Sequence, residues 1–139
     1  MNINICLKIL LTKKYNESKT NIVFSRNILK VIIAGGRDFT NYPFLDLVCS
    51  EFDITEVVCG EAKGADTLGK QYAIQNNIHV KSFPANWNKY GKSAGIKRNK
   101  QMGDYADFLV AFWDGNSKGT ASMINYMKQL QKPYIIRYY

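Results

Sequence analysis

The sequence predicts one α/β domain, a Rossmann-like parallel sheet with helices on both faces. Three observations carry this expectation. Short apolar runs alternate with stretches of helical periodicity, the pattern of strand–helix–strand units. The runs are continuously apolar rather than alternating, as strands covered on both faces are. Several of them also end in a glycine-bearing polar loop, beginning with Val31-Ile32-Ile33-Ala34 followed by Gly35-Gly36-Arg37-Asp38-Phe39.

The expected order starts with a strand at 29–34 and a helix at 42–52. It continues with a strand at 56–59, a helix at 65–75, a strand at 80–83 and a helix at 93–102. A strand at 108–113, a helix at 120–131 and, after Pro133, a last strand at 134–138 complete it. Leu68, Tyr72 and Ala73 fall on one side of the second helix, and Ile124, Met127, Leu130 and Gln131 repeat at three-to-four spacing on the last. Right-handed crossovers then make the sheet parallel. The domain spans residues 30–139, and residues 1–29 form an amino-terminal extension. In the extension, residues 1–12 fit an edge strand or a short helix, and residues 13–21 a polar loop.

A chain of 139 residues suits one domain with one sizeable core. Its formal charge of +8 favours anionic partners without choosing among nucleotide, nucleic acid and membrane surface. The basic excess is densest in the extension, where Lys8, Lys13, Lys14, Lys19 and Arg26 face Glu17 alone. Cys6, Cys49 and Cys59 have no metal-ligand spacing and His79 is the single histidine, so neither a zinc site nor a disulfide framework is expected. Residues 3–11 are interrupted by Lys8 and too short to span a bilayer. The expectation is a cytoplasmic protein with no membrane partner, metal or cofactor.

Four loops are placed to carry chemistry. In the first, Gly35 and Gly36 let backbone amides approach a ligand, and Arg37 adds a donor fork suited to phosphate or carboxylate. Asp38 can accept from a ribose hydroxyl, cap the following helix or pair with Arg37. The second loop runs Cys59-Gly60-Glu61-Ala62-Lys63-Gly64-Ala65-Asp66. Gly60 leaves the strand and Gly64 keeps the helix start open to an anion. Asp66 suits either a cap or a ligand contact, and Glu61 is a carboxylate immediately past a strand.

The third segment offers Asn86, Trp87 and Tyr90 for base or sugar contacts, then a basic helix whose small-residue edge carries Arg98 and Asn99. The fourth, Trp113-Asp114-Gly115-Asn116-Ser117-Lys118-Gly119-Thr120, enters another helix start, with Ser117 or Thr120 as its cap. Gly115, Gly119 and Thr120 are candidate anion contacts. No loop has the dinucleotide GxGxxG or the Walker lysine pattern. His79 has no acidic neighbour in sequence and reads as a surface or core-edge histidine rather than a general base.

The segments VIIAGGRDF (31–39), VVCGEAKGAD (57–66), FPANW (83–87), AGIKRNKQM (94–102) and ADFLVAFWDGNSKGT (106–120) resemble, in that order, the SLOG superfamily. That superfamily joins Smf/DNA-processing proteins and LOG nucleotide-cleaving enzymes, and the likeness is greatest to a small bacterial and phage branch with the GGRDF motif. The resemblance implies a Rossmannoid fold that binds nucleotides or nucleotide-derived signals. The LOG branch cleaves the base–ribose bond of nucleoside monophosphates with an arginine in Arg-Lys-x-x-Met and a glutamate after a glycine-rich loop. Arg98 of Arg98-Asn99-Lys100-Gln101-Met102 matches that arginine, whereas Met123 stands where the glutamate would be.

The sequence therefore favours binding, sensing or sequestration of a nucleotide or nucleotide-derived small molecule. An N-glycosidic hydrolase with relocated carboxylates is the first alternative, with Glu61, Asp38 and Arg98 as its catalytic residues and Asp114 a further acid. Single-stranded nucleic-acid binding is the second, and a structural or partner-regulating protein without a ligand the third. The apolar content permits a homo-oligomer.

Overall fold

The computed structural model describes residues 28–139, and in it five parallel strands form one sheet in the order β3-β2-β1-β4-β5. The strands are β1 (Lys30–Gly35), β2 (Glu56–Cys59), β3 (His79–Ser82), β4 (Phe108–Trp113) and β5 (Tyr134–Tyr138). The helices are α1 (Tyr42–Cys49), α2 (Ala65–Gln75), a single turn α3 (Trp87–Tyr90), α4 (Ala94–Tyr105) and α5 (Lys118–Gln129), with a 3-10 turn at Gly91–Ser93. The expected readings of residues 1–12 and 13–21, and Cys6, lie outside the described residues.

Alternation along the strands splits the core into two layers. Val31, Ile33, Val57, Phe108, Val110 and Phe112 face α1 and α2, meeting Leu45, Val48, Cys49, Tyr72 and Ala73. Ile32, Ala34, Val58, Leu109 and Ala111 face α4 and α5, meeting Met102, Ala106, Met123, Ile124 and Met127. The helices thus cover both faces, which is why the strands read as continuous apolar runs.

Element boundaries differ from expectation at identifiable places. The first helix stops at Cys49 rather than at 52. Its chain turns through Phe52 N–H donating to the Cys49 carbonyl at 3.1 Å, and Phe52 reaches the core against Phe108 at a centroid distance of 5.0 Å. The third strand begins one residue early, at His79, and α5 begins at Lys118. Ahead of α4, the Asn86 side chain accepts from Lys89 N–H at 3.1 Å and caps the separate turn α3, which Gly91 breaks at φ 55°.

His79 does have an acidic partner, although not a sequence neighbour. Its Nδ1–H donates to Glu56 at 2.7 Å, and Glu56 also receives the Tyr105 hydroxyl. This cluster stands at the amino edge of the sheet, opposite the loops described below.

Two stability predictions arise from the fold. Lys132 donates to the carbonyls of Gly103, Asp104 and Ala106 at 2.8, 2.9 and 2.9 Å, satisfying the end of α4. Lys132→Met leaves those acceptors without a charged donor and is expected to cost about 2 kcal/mol in urea unfolding.

Cys49 is fully buried, and burial, reinforced by Asp46, pushes its thiol from 9.0 up to about 12. A group with a raised folded pKa contributes stability that is complete below its unfolded pKa and lost as pH rises through the folded value. Unfolding free energy is therefore expected to fall by about 3 kcal/mol between pH 9 and 12 from this group. Cys49→Ala should flatten that slope while lowering stability at pH 7.

Candidate functional site

Crossovers leaving β1 run toward β2 and β3, whereas those leaving β4 run toward β5. The crevice between the carboxyl ends of β1 and β4 is therefore the topological switch point at which open α/β sheets bind ligands. A cleft of about 470 Å³ opens there. Its walls are the β1 loop from Gly35 to Asp38, Ala62 and Asp66 of the second loop, and Arg98, Asn99 and Met102 of α4. Asp114, Ser117, Gly119, Thr120 and Met123 close it from the β4–α5 side.

The β1 glycines serve close packing. A Cβ on Gly35 would overlap the Phe112 carbonyl and lie 2.9 Å from the Ala65 Cβ, and one on Gly36 would overlap the Tyr139 hydroxyl. Gly36 N–H donates to the Phe112 carbonyl at 3.2 Å, and its own carbonyl receives Phe39 and Ala65 N–H at 3.3 and 3.2 Å. Arg37 and Asp38 are left exposed at the tip. Arg37 makes no side-chain hydrogen bond or ion pair among the described residues. Asp38 neither pairs with it nor caps α1. Asn41 caps that helix, accepting from Phe44 N–H at 3.1 Å, while Asp38 accepts from the Tyr139 hydroxyl at 2.6 Å.

The second loop is filled by its own acid. Asp66 is buried and accepts from Gly60 N–H at 3.2 Å and Ala62 N–H at 3.4 Å. Burial raises its pKa, against the opposing pull of Arg98 and those two amides. Arg98 in turn donates to the Gly60 carbonyl, and its Nε donates to Asn99 Oδ1 at 3.0 Å. Asn99 Nδ2 reaches the Gly119 carbonyl at 3.4 Å, tying α4 to the start of α5. The guanidinium is thus fixed at the cleft wall by the Gly60 carbonyl of the second loop and by Asn99 of its own helix.

On the β4 side, Asp114 accepts from Asn116 and Ser117 N–H at 2.8 and 2.7 Å, and these amides hold its carboxyl below the usual range. The turn directs the first turn of α5 at the cleft. Ser117 occupies the N-cap position but makes no capping bond, and its hydroxyl lies 3.2 Å from that of Thr120. A Cβ on Gly119 would have nothing within 4 Å. An uncapped helix start with open space before it is suited to an anion.

Residues 29–90 match the YAcAr family, described as the YspA, cpYpsA-related SLOG family. Over those residues the chain is similar to that family, and its sheet is Rossmann-like. The crystal structure of DNA processing protein A (DprA) from Streptococcus pneumoniae is similar, with a TM-score of 0.64 and 15% identity over 78% of this chain. At that identity the likeness is one of fold. The match covers 50% of the DprA chain, so this chain corresponds to about half of it. No curated protein matches.

Within the Rossmann-like domain, Gly35, Gly36, Arg37, Asp38, Asp66, Arg98, Asn99, Gly119 and Thr120 converge on the cleft. Gly60, Glu61, Gly64, Asn86, Trp87 and Gly115 do not line it. Gly60 lies behind Arg98, and Gly64, at φ 75°, packs on the backbone of Gly36 and Arg37. The Gly64 helix start is consequently covered by protein, its Ala65 amide bound to Gly36. Glu61 accepts from Ser82 at 2.7 Å and Lys70 at 3.2 Å, bonds that lower its pKa. Gly115, at φ 84°, shapes the turn that Asp114 holds.

Sequence reasoning missed Tyr139, whose hydroxyl sits between the first and fourth loops. Burial, then Asp38, then Asp114 raise its pKa, so it remains a donor to Asp38. Ala62, Met102 and Ser117 also went unassigned as lining residues. Among the described residues, no helix is long and apolar enough to cross a membrane, and no cluster of His, Cys, Asp and Glu could hold a metal.

Proposed function

We propose that the protein binds a nucleotide or nucleotide-derived small molecule by its phosphate, without cleaving it. The observation that carries this reading is the joint placement of Arg98 and the uncapped first turn of α5 on one switch-point cleft. Phosphate accepts from the free amides around Gly119 and Thr120 and from the Arg98 guanidinium, and Arg37 closes over it from the β1 loop. Asp38, oriented by Tyr139, accepts from a ribose hydroxyl.

Met123 supports binding over hydrolysis. It lines the cleft at the position where the resemblance to LOG enzymes would put a glutamate, and a thioether cannot orient water or stabilise a developing oxocarbenium ion as a carboxylate does. A hydrolytic reading has an observation of its own, since Asp38 and Asp114 also line the cleft. Glu61 is engaged by Ser82 and Lys70 and would have to leave both partners to serve it. The likeness to a DNA processing protein makes a nucleic-acid ligand a further reading, supported only by fold.

Calorimetric titration with nucleoside monophosphates, followed by chromatography of the mixture, separates these readings. Saturable binding with the nucleotide recovered intact is the expected result. Catalytic release of free base would replace binding with hydrolysis, and the loss of that release in Asp38→Asn or Asp114→Asn would identify the acid.

A further inference from the structure

We infer that the ligand is longer than the one nucleotide unit the cleft holds. A second base-bearing unit, joined to the first through phosphate, lies on an aromatic and cationic shelf beside Arg98. The inference rests on the nucleotide reading above and names the ligand class more narrowly, as two linked nucleotide units.

The shelf begins where the cleft wall ends. A Cβ placed on Gly95 would lie 3.4 Å from Trp87 Cη2 and 4.0 Å from Arg98 Nη2. The indole edge and the guanidinium of the cleft-lining Arg98 therefore both border the bare surface of Gly95. Trp87 is 52% exposed on a surface-lying single turn.

Charge selects the occupant. Lys89, Lys92, Lys97 and Lys100 are all exposed here, and the sequence has no carboxylate from residue 84 to residue 103. Lys97 and Lys89 stand 4.5 and 5.1 Å from the centre of the Tyr90 ring, which gathers two ammonium groups on the same surface turn that carries Trp87. A second copy of this face would set lysine against lysine. An aromatic ring with adjoining cations, continuous with an anion cleft, instead matches a base that stacks and a phosphate that follows it.

The test is calorimetric titration of the whole chain with the four ribonucleoside 5′-monophosphates, the corresponding 5′-phosphorylated dinucleotides and ten-residue oligonucleotides. The dinucleotide of at least one base is expected to bind about tenfold or more tighter than its monophosphate, as one stacked base provides. Trp87→Ala should abolish that gain and Trp87→Phe keep part of it, with monophosphate affinity the same in all three proteins. Equal affinity for mono- and dinucleotides in the unsubstituted protein overturns the inference, as does a Trp87→Ala loss shared equally by both. A continued rise from dinucleotide to decanucleotide that does not depend on Trp87 overturns it in favour of a long single strand. Failure of every probe to bind removes the nucleotide reading itself, a result distinct from the others.

Discussion

Arg98→Ala is expected to weaken nucleotide binding by about 100-fold and to destabilise the fold by about 3 kcal/mol. The two losses have different origins. Binding falls because the cleft loses its fixed guanidinium. Stability falls because Asp66, buried and bonded to the Gly60 and Ala62 amides, is left with no opposite charge beside it. Asp66→Asn in the same chain removes the stranded charge while its carbonyl oxygen can still accept from those amides. The double variant should therefore recover most of the thermal stability and none of the affinity. Equal recovery of both in a melting and titration series would mean that Arg98 acts only as a strut.

The second large effect contrasts two glycines that the sequence presents alike, each at a helix start. Gly64 has φ 75°, and a Cβ there would overlap the Gly36 carbonyl and lie 2.6 Å from that of Arg37. Backbone strain and a clash with backbone add together, so Gly64→Ala is expected to cost about 3 kcal/mol or more in urea unfolding. Gly119 has nothing within 4 Å of an added Cβ. Gly119→Ala should leave stability unchanged or raise it by about 0.5 kcal/mol, alanine being the better helix former. The added methyl nevertheless stands at the uncapped amides, and affinity should fall about tenfold. Unchanged affinity in Gly119→Ala would place the phosphate elsewhere.

This contrast also shows what the sequence reveals and where it stops. The second helix and the strands at 56–59, 108–113 and 134–138 are legible to the residue, because apolar runs meet glycine, proline or polar loops at both ends. The first helix ends three residues before the sequence predicts, because Phe52 continues the apolar period past Cys49 while the chain is already turning. For the cleft, knowing that ligands meet the carboxyl edge of a parallel sheet suffices to gather Arg37, Arg98, Asn99 and Gly119. It does not say which way a loop side chain points. Glu61 follows its strand as closely as Asp38 follows Gly36, yet its carboxylate is held by Ser82 and Lys70 outside the cleft lining. Nor does local pattern reveal that Asp66 fills the amides of its own loop. The Tyr139–Asp38 bond joins residues 101 positions apart and leaves no local signal at all.

Native mass spectrometry of the protein isolated directly from its own cells tests the central claim most directly, with the bound small molecule released and identified. The account predicts an intact phosphate-bearing nucleotide or nucleotide derivative near one per chain, absent from the Arg98→Ala/Asp66→Asn protein prepared in the same way. A wild-type protein that emerges empty and takes up no added nucleotide under the same conditions would contradict it.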